Sequence, residues 1–225
     1  MPNHVTNKVE ASKKVIKVLS NADGEPDFNT VLPMPKSLTM NGDGVNCAAE
    51  DMAQLAWCEP LNENPLIAAL EKQNKASMDP SKFDEKTIKD ACTMIMNKKK
   101  YGFYNWHDFS RAVWGTKWNA YSFDPGRSNE STLVFETALS MPDPVYLALS
   151  KKFPEEEIKV SFADEDLGSN CGVVTYKNGE KIEFCNKENN TDVNWEEFAF
   201  LMRYPSSNYQ EYLAENEDDD VFYGC

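Results

Sequence analysis

Short stretches in which apolar and polar residues alternate, the pattern of strands with one buried face, recur along the chain. They predict strands at residues 4–10, 28–35, 118–123, 131–137 and 158–162. Asn178-Gly179 separates two further alternating runs and predicts a type I′ hairpin, because both positions of that turn need a positive φ. A two-residue loop pairs residue 177 with 180 and 173 with 184. This register places Val173, Ile182 and Phe184 on the buried face of the hairpin.

Apolar residues at helical spacing predict helices in the remaining segments. In the first half, helices are expected after Ser12, over 47–58, from Asn64-Pro65 and over 84–99. Their predicted buried sides are Val15, Ile16 and Leu19; Ala48, Met52 and Leu55; Leu66, Ile67 and Leu70; and Ile88, Cys92 and Ile95. In the second half, helices are expected from Asp143-Pro144, from the capping-box pair Asn194 and Glu197, and from Ser207.

The segment from Trp106 to Tyr121 holds three of the five tryptophans and one of the two histidines. It is predicted to be a helix that turns at Gly115 into the strand 118–123, and its aromatic side chains are expected to anchor the interior. The order of elements predicts an α+β fold with an antiparallel sheet. We expect a single domain at 1–205 with a large helical insertion at about 37–117, followed by an acidic carboxyl-terminal helix and tail at 206–225.

Charge is distributed unevenly along the 225 residues, whose net charge is −14. Residues 151–225 carry 18 acidic and 7 basic residues, a balance of −11, whereas residues 1–150 have a balance of −3. Direct binding to nucleic acid is disfavoured, because phosphates would be repelled and no basic stripe is present to release counterions. A basic partner protein is favoured instead, including one whose own ligand is a nucleic acid.

No apolar run approaches the length of a membrane span, and the amino terminus does not have the pattern of a secretion signal. We therefore expect a protein of the bacterial cytoplasm that does not contact a membrane. Six cysteines without a CxxC pair argue against zinc and against thioredoxin-like chemistry. The sequence predicts no catalytic residue, no metal site and no cofactor, and it favours a protein that is not an enzyme.

Two groups of residues are candidates for binding. The first is a protein-binding surface made of acidic residues and of aromatic residues interleaved with them near the carboxyl terminus. Its members are Asp164, Glu165, Asp166, Tyr209, Tyr212, Glu215, Glu217, Asp218, Asp219, Asp220 and Phe222. The second is an alternative ligand site made of Trp106, His107, Lys117 and Trp118, in a cleft between the helical insertion and the sheet. For each group a structural explanation stays open: solvated acids for the first and aromatic packing for the second.

Six segments carry a resemblance to a known family. They are Asn3-His-Val-Thr-Asn7, Asp27-Phe-Asn-Thr-Val-Leu-Pro-Met-Pro35, Tyr101-Gly-Phe-Tyr-Asn-Trp106, Trp114-Gly-Thr-Lys-Trp-Asn-Ala-Tyr121, Phe135-Glu-Thr-Ala138 followed by Pro142, and Asp164-Glu-Asp-Leu-Gly-Ser-Asn170. These segments resemble the YubB-type family of uncharacterised proteins of bacterial phages and plasmids. The resemblance implies a ferredoxin-like fold and a mobile-element origin, but it implies no activity.

Two hypotheses for the function follow. In the first, the protein is a phage- or plasmid-encoded accessory protein that binds a host protein. Its acidic carboxyl-terminal surface then imitates nucleic acid and inhibits a host defence or nucleic-acid-binding complex. In the alternative, the protein binds a small ligand or acts as a hydrolase in the cleft beside Trp106 and His107. The oligomeric state is left open.

Overall fold

The computed structural model describes residues 2–40, 42, 44–57, 64–76, 81 and 83–220, and for 74–76 and 216–220 it describes the backbone only. The chain forms two compact units. Met1–Pro33 and Val113–Cys225 make one, the sheet unit, and Met34–Ala112 makes the other, the helical unit. The sheet unit is therefore built from two separate stretches of chain. The predicted domain boundaries at 205 and 206 stay predictions.

The regular elements are named in chain order. The strands are β1 His4–Glu10, β2 Thr132–Ala138, β3 Ile158–Asp164, β4 Cys171–Lys177 and β5 Glu180–Cys185. The helices are α1 Lys13–Leu19, α2 Cys47–Trp57, α3 Pro65–Ala76, α4 Glu85–Tyr101, α5 Trp106–Phe109, α6 Asp143–Lys152, α7 Trp195–Arg203 and α8 Tyr209–Asp220. Short 3₁₀ helices lie at Phe28–Thr30 and Lys36–Thr39, and a π-helical turn lies at Ser110–Trp114.

The five strands form one antiparallel sheet in the order β2-β1-β3-β4-β5. Because β2 and β3 both run antiparallel to the strand between them, they run parallel to each other. The connection through α6 therefore crosses over β1. This sheet confirms the predicted α+β fold, and β1, β2 and β3 lie where alternation placed them.

One face of the sheet carries most of the core. Side chains alternate between faces, so the register puts one set of apolar residues on the same side. This set includes Val5, Val9, Phe135, Val160 and Tyr176, all of which are fully buried. Phe28 packs edge-on against Phe135, and the Tyr146 hydroxyl of α6 donates to Asn7 Oδ1 at 3.2 Å. Burial raises the pKa of Tyr146 well above its ordinary value.

The opposite face is covered near one end by α7. Trp195, Ala199 and Met202 of this helix pack against Ala163 of β3 and Cys171 of β4. One half of the predicted capping box is present: Asn194 Oδ1 accepts from the Glu197 backbone N–H at 3.3 Å, and the Glu197 carboxylate accepts from the Asn194 side chain at 3.4 Å. Arg203, in the last turn of α7, donates to the His4 carbonyl at 3.0 Å, which holds that turn at the end of the sheet where β1 begins.

Two predicted strands are wrong. Residues 28–35 begin with a 3₁₀ helix, because the Asp27 side chain accepts from the Asn29 backbone N–H at 2.9 Å and caps it. Residues 118–123 make only an isolated bridge, Tyr121 to Glu136. The Asn119 side chain accepts from the Phe28 backbone N–H, and Ser122 has a φ of 48°, which a strand does not allow. The order strand, helix, strand predicted for the start of the chain is therefore β1, α1 and a 3₁₀ helix.

The hairpin turn is confirmed, but its register is not. Asn178 and Gly179 have φ values of 51° and 79°, and Lys177 pairs with Glu180. A bulge then shifts the ladder, so that Val173 faces Cys185 and not residue 184. Phe184 pairs instead with Val174, and Ile182 is the extra residue of the bulge. On β5, which is an edge strand, these two side chains are 44% and 48% exposed rather than buried.

The helical unit contains the predicted helices with different buried sides. Ala49, Ala53, Ala91, Met94 and Tyr104 form its core. The predicted buried residues of α3 are instead exposed: Leu66 at 71%, Ile67 at 43% and Leu70 at 54%. On α4 the side expected to carry Ile88 and Cys92 faces outward. Asp90 and Asn97 are buried in their place, because Asn46 donates to Asp90 Oδ2 at 3.1 Å and Ser37 donates to Asn97 Oδ1 at 2.7 Å.

Candidate functional site

Asp164, at the end of β3, is a structural acid and not a solvated one. It is 4% exposed. Its Oδ1 accepts from Asn3 Nδ2 at 3.0 Å and from the Asp166 backbone N–H at 3.1 Å, and its Oδ2 accepts from Asn170 Nδ2 at 3.0 Å. Asp166 Oδ2 also accepts from Asn3 Nδ2, at 2.9 Å. The acidic loop is thus tied to the start of β1, and its exposed acids are Glu165 and Asp166.

A histidine, a tyrosine and two acids meet beside this loop. His4 Nδ1 and Tyr121 Oη are 2.7 Å apart, and Glu136 Oε2 lies 3.8 Å from the same nitrogen. Arg203 of α7 donates to the His4 carbonyl at 3.0 Å and lies 4.0 Å from Glu165. Burial, with the nearby negative charges of Glu136 and Glu165, raises the pKa of Tyr121 to about 12. The phenol is therefore protonated at neutral pH, where it serves as a hydrogen-bonding group.

The predicted ligand residues fall into separate units. Trp106 and His107 belong to the helical unit, whereas Lys117 and Trp118 belong to the sheet unit. The Lys117 ammonium lies 4.8 Å from the centre of the Trp118 ring, which in turn contacts Tyr121 edge-on. Trp106 is 9% exposed and donates to the Gly44 carbonyl at 3.3 Å, so it packs within its own unit.

His107 lines a cavity of about 580 Å³ within the helical unit. The Asn105 side chain caps α5 by accepting from the His107 and Asp108 backbone N–H groups, which fixes the start of the helix. Lys98 and Arg111 supply positive charge to the cavity wall, and Asp108 supplies one negative charge. The remaining lining residues are Gln54, Gly102, Phe103, Tyr104 and Ala112.

A second cavity of about 580 Å³ lies between α7 and α8 and is open to solvent; we call it the aromatic groove. Three aromatic residues line it: Phe200, Tyr204 and Tyr212. The Phe200 ring centre lies 5.3 Å from that of Tyr204 and 4.7 Å from that of Tyr212. The other lining residues are Ser206, Ser207, Asn208, Glu211 and Glu215.

Tyr209, which the sequence placed among exposed aromatics, is 5% exposed. Its ring packs against Phe200 at 5.4 Å, and its hydroxyl donates to Glu196 Oε2 at 3.5 Å. Burial and the Glu196 carboxylate raise its pKa. Tyr209 therefore supports the groove from beneath, whereas Tyr204, at 48% exposed, presents its ring to solvent.

The acids of the groove are positioned by the start of α8. Asn208 accepts from the Gln210 backbone N–H through Oδ1 and donates to Glu211 Oε1 at 3.2 Å, which holds that carboxylate in place. Glu215 lies one turn further along the same face, because residues four apart are neighbours on a helix. Both glutamates are exposed, and among the described residues that line the groove none is basic.

The backbone of α8 is helical as far as Asp220, so the predicted acidic tail continues the helix. Glu217, Asp218, Asp219 and Asp220 make up its last turn, and Phe222 lies outside the described residues. Acidic residues at the carboxyl end of a helix oppose its dipole, and acids three or four apart repel each other. The charge of α8 is thus unfavourable for the isolated helix and would be relieved by a cationic partner.

The described residues contain no group of three or more His, Cys, Asp or Glu side chains that could hold a metal ion. Within the same residues, no helix is both long and apolar enough to cross a membrane.

Sequence reasoning missed Phe200, Tyr204 and Glu211 of the groove, and His4 and Arg203 of the cluster at the sheet end. The spacing of Phe200 and Tyr204, four apart on a predicted helix, places them on one face and was a usable signal. His4 gave no such signal, because its partners Tyr121 and Glu136 are more than one hundred residues away.

Three comparisons with known proteins complete the description. No curated protein matches the chain at a significant level. Among solved structures, the crystal structure of a protein api92 from Yersinia pseudotuberculosis matches 83% of this chain and 98% of its own, with 11% sequence identity and a TM-score of 0.35. Residues 113–204, which contain β2 to β5 and α7, match the family model of the ferredoxin-like domain in Api92-like protein.

Proposed function

We propose that this chain is a non-enzymatic accessory protein, carried by a phage or plasmid, that binds a basic host protein through the surface of α7 and α8. The observation that carries the proposal is the aromatic groove, where exposed Glu211 and Glu215 border three aromatic rings. Interfaces take most of their affinity from such aromatic anchors, and like-signed charge around them accelerates encounter with a partner of opposite charge. The resemblance to the YubB-type family supports the mobile-element origin.

In its specific form, the proposal is that α8 imitates a nucleic-acid backbone. The helix has 12 residues, of which six are acidic and none is basic. At 1.5 Å per residue it is about 18 Å long, which gives roughly one acid per 3 Å. One strand of DNA carries a phosphate about every 3.4 Å. Averaged along its axis, α8 therefore has a charge per length similar to that of one DNA strand, with four of the six acids in its last four residues. The protein would inhibit a phosphate-binding site by occupying it.

The test is capture from bacterial lysate on the immobilised protein at low salt, followed by elution with rising salt. We expect nucleic-acid-binding proteins to be retained, to elute below about 0.5 M salt and to be displaced by added duplex DNA. The matched control is Glu211→Gln/Glu215→Gln, in which two exposed charges are lost without a change in shape. Retention that resists salt or DNA, or that is the same for the control, would contradict the proposal.

A second candidate is favoured by one observation, the cavity beside His107. Its lining of Lys98, Arg111 and His107 fits a small anionic ligand held within the helical unit. The candidate is a small-ligand-binding protein or a hydrolase. Thermal unfolding in the presence of nucleotides, phosphate and carboxylates tests it: an increase in melting temperature that Arg111→Gln abolishes would support it, and no increase with any of these ligands would remove it.

A further inference from the structure

The aromatic groove between α7 and α8 combines features that suit a cation with an alkyl stem. Aromatic faces attract a cation through their quadrupole and also bury its methylene groups. Phe200 is 4% exposed and forms the floor, and Tyr204 at 48% exposed forms one wall. Tyr212, whose ring centre lies 4.7 Å from that of Phe200, also lines the groove.

The charge at the rim has one sign. Glu211 and Glu215 lie one helical turn apart along α8, and both are exposed. Glu211 is held by Asn208 at 3.2 Å, so its carboxylate is already ordered before a ligand arrives. Two carboxylates on neighbouring turns can both accept from a compact ammonium, which donates in three directions, whereas a guanidinium pairs best with a carboxylate that lies in its own plane.

One of these rings already contacts a cation from within the chain. The guanidinium carbon of Arg203 lies 6.0 Å from the centre of the Tyr204 ring. Arg203 is itself held elsewhere, by the His4 carbonyl at 3.0 Å and by Glu165 at 4.0 Å. Tyr204 therefore already takes part in cation–π contact, while Arg203 is not among the residues that line the groove and does not neutralise its acids.

We propose that the groove binds a lysine side chain of the basic partner, with its methylene stem on Phe200, Tyr204 and Tyr212 and its ammonium between Glu211 and Glu215. This inference rests on the proposed function and adds to it the group that is recognised. The volume of about 580 Å³ leaves room for the lysine stem together with part of the neighbouring backbone. Recognition is then local, and the acids of the last turn of α8 add attraction without selectivity.

The test measures dissociation constants for short peptides by isothermal titration calorimetry at low salt. The probe is a glycine- and serine-flanked peptide with two lysines, compared with peptides in which arginine, acetyl-lysine or norleucine replaces lysine. We expect the lysine peptide to bind most tightly. Acetyl-lysine and norleucine are expected to weaken binding about tenfold or more, since each keeps the stem and loses the charge. An arginine peptide that binds more tightly would overturn the assignment of lysine.

Variants locate the site. Tyr204→Leu should weaken lysine-peptide binding by about 3- to 30-fold, whereas Tyr204→Phe, which keeps the ring, should stay within about twofold of the wild type. Glu215→Gln should weaken binding and reduce its salt dependence, whereas Glu188→Gln, an exposed acid outside the groove, should not. Because Glu215 is exposed, its replacement leaves the fold intact even if Tyr204→Leu does not.

Two negative results have different meanings. If Tyr204→Leu and Glu215→Gln bind the lysine peptide as the wild type does, the groove does not recognise lysine; the proposed function then stands only if Glu211→Gln/Glu215→Gln still weakens the retention of nucleic-acid-binding proteins. If the wild-type protein binds neither the lysine peptide nor any such protein at low salt, the proposed function itself is wrong.

Discussion

Replacing Asp164 by Asn tests whether this acid holds the sheet end together. The substitution keeps the shape and removes one acceptor. If the new amide directs its NH₂ group at Asn170, two donors face each other where Oδ2 now accepts at 3.0 Å. If it directs the NH₂ group the other way, it faces Asn3 Nδ2 and the Asp166 backbone N–H.

The neighbours do not adapt easily to either orientation. Asn170 Nδ2 also donates to the Leu139 carbonyl at 3.2 Å, and Asn3 Nδ2 also donates to Asp166 Oδ2 at 2.9 Å. Turning either amide over would place its oxygen against another oxygen. Because residue 164 is 4% exposed, water compensates little, and we expect a loss of about 2 kcal/mol, within the range of about 1–3 kcal/mol for a buried group left unpaired.

Urea unfolding followed by tryptophan fluorescence measures this loss as a lower midpoint at an unchanged slope. The matched control is Asp166→Asn, since Asp166 is exposed and its new amide can turn its oxygen toward Asn3. It should cost less than about 0.5 kcal/mol. The reasoning is refuted if Asp164→Asn costs no more than this control.

Three further predictions concern the sheet unit. Gly172→Ala should lower the free energy of unfolding by about 2–3 kcal/mol, measured in urea, because the added Cβ would lie 2.7 Å from the Cys185 carbonyl oxygen and 3.2 Å from the Phe162 ring. A loss below about 0.5 kcal/mol would mean that β5 shifts to make room for the added methyl group. Ile182→Thr should change stability by less than about 0.5 kcal/mol, because Ile182 is 48% exposed, whereas Val160→Thr should cost at least about 1 kcal/mol, because Val160 is fully buried. Equal losses would contradict this difference in burial. Tyr121, with its pKa raised to about 12, favours the protonated form in the folded state, so its contribution to stability is complete below about pH 10 and is lost as pH rises toward 12. In an absorbance titration, the folded wild type and Tyr121→Phe should show the same number of phenols ionising near pH 10, because Tyr121 does not ionise there. One additional phenol near pH 10 in the wild type would mean that the pKa of Tyr121 is not raised.

The strands of the sheet were predictable because local pattern and burial agree. In β1, Val5 and Val9 alternate with polar residues, and a buried face requires that spacing. The turn at Asn178 and Gly179 was equally clear, since these residue types accept a positive φ at low cost. The resemblance to a ferredoxin-like family pointed to the same class of fold as the match over residues 113–204.

The features that the sequence did not predict depend on distant contacts. The bulge between Thr175 and Tyr176 leaves no local mark in the sequence, yet it pairs Phe184 with Val174 instead of Val173 and leaves Ile182 without a partner in the ladder. On α4, Asp90 and Asn97 are buried because of Asn46 and Ser37, which lie 44 and 60 residues away. Hydrophobic spacing alone assigns such polar residues to the outer face.

The candidate site was predicted only in part, because contacts between residues distant in sequence bring some of its members together. Tyr212 and Glu215 were found from composition, because they lie in the acidic, aromatic end of the chain. Phe200 lies on α7 and Tyr204 directly follows that helix, and the packing of the Phe200 ring against Tyr204 and Tyr212 brings them together. The role of Asp164 was hidden, since its partner Asn3 is 161 residues away.

The most direct test of the proposed function is the salt dependence of binding to a host protein captured from lysate, measured for the wild type and for Glu211→Gln/Glu215→Gln. The account predicts that affinity falls steeply as salt rises, that the double variant binds more weakly at low salt, and that its dependence on salt is shallower. Equal affinities and equal salt dependence for the two proteins would contradict it.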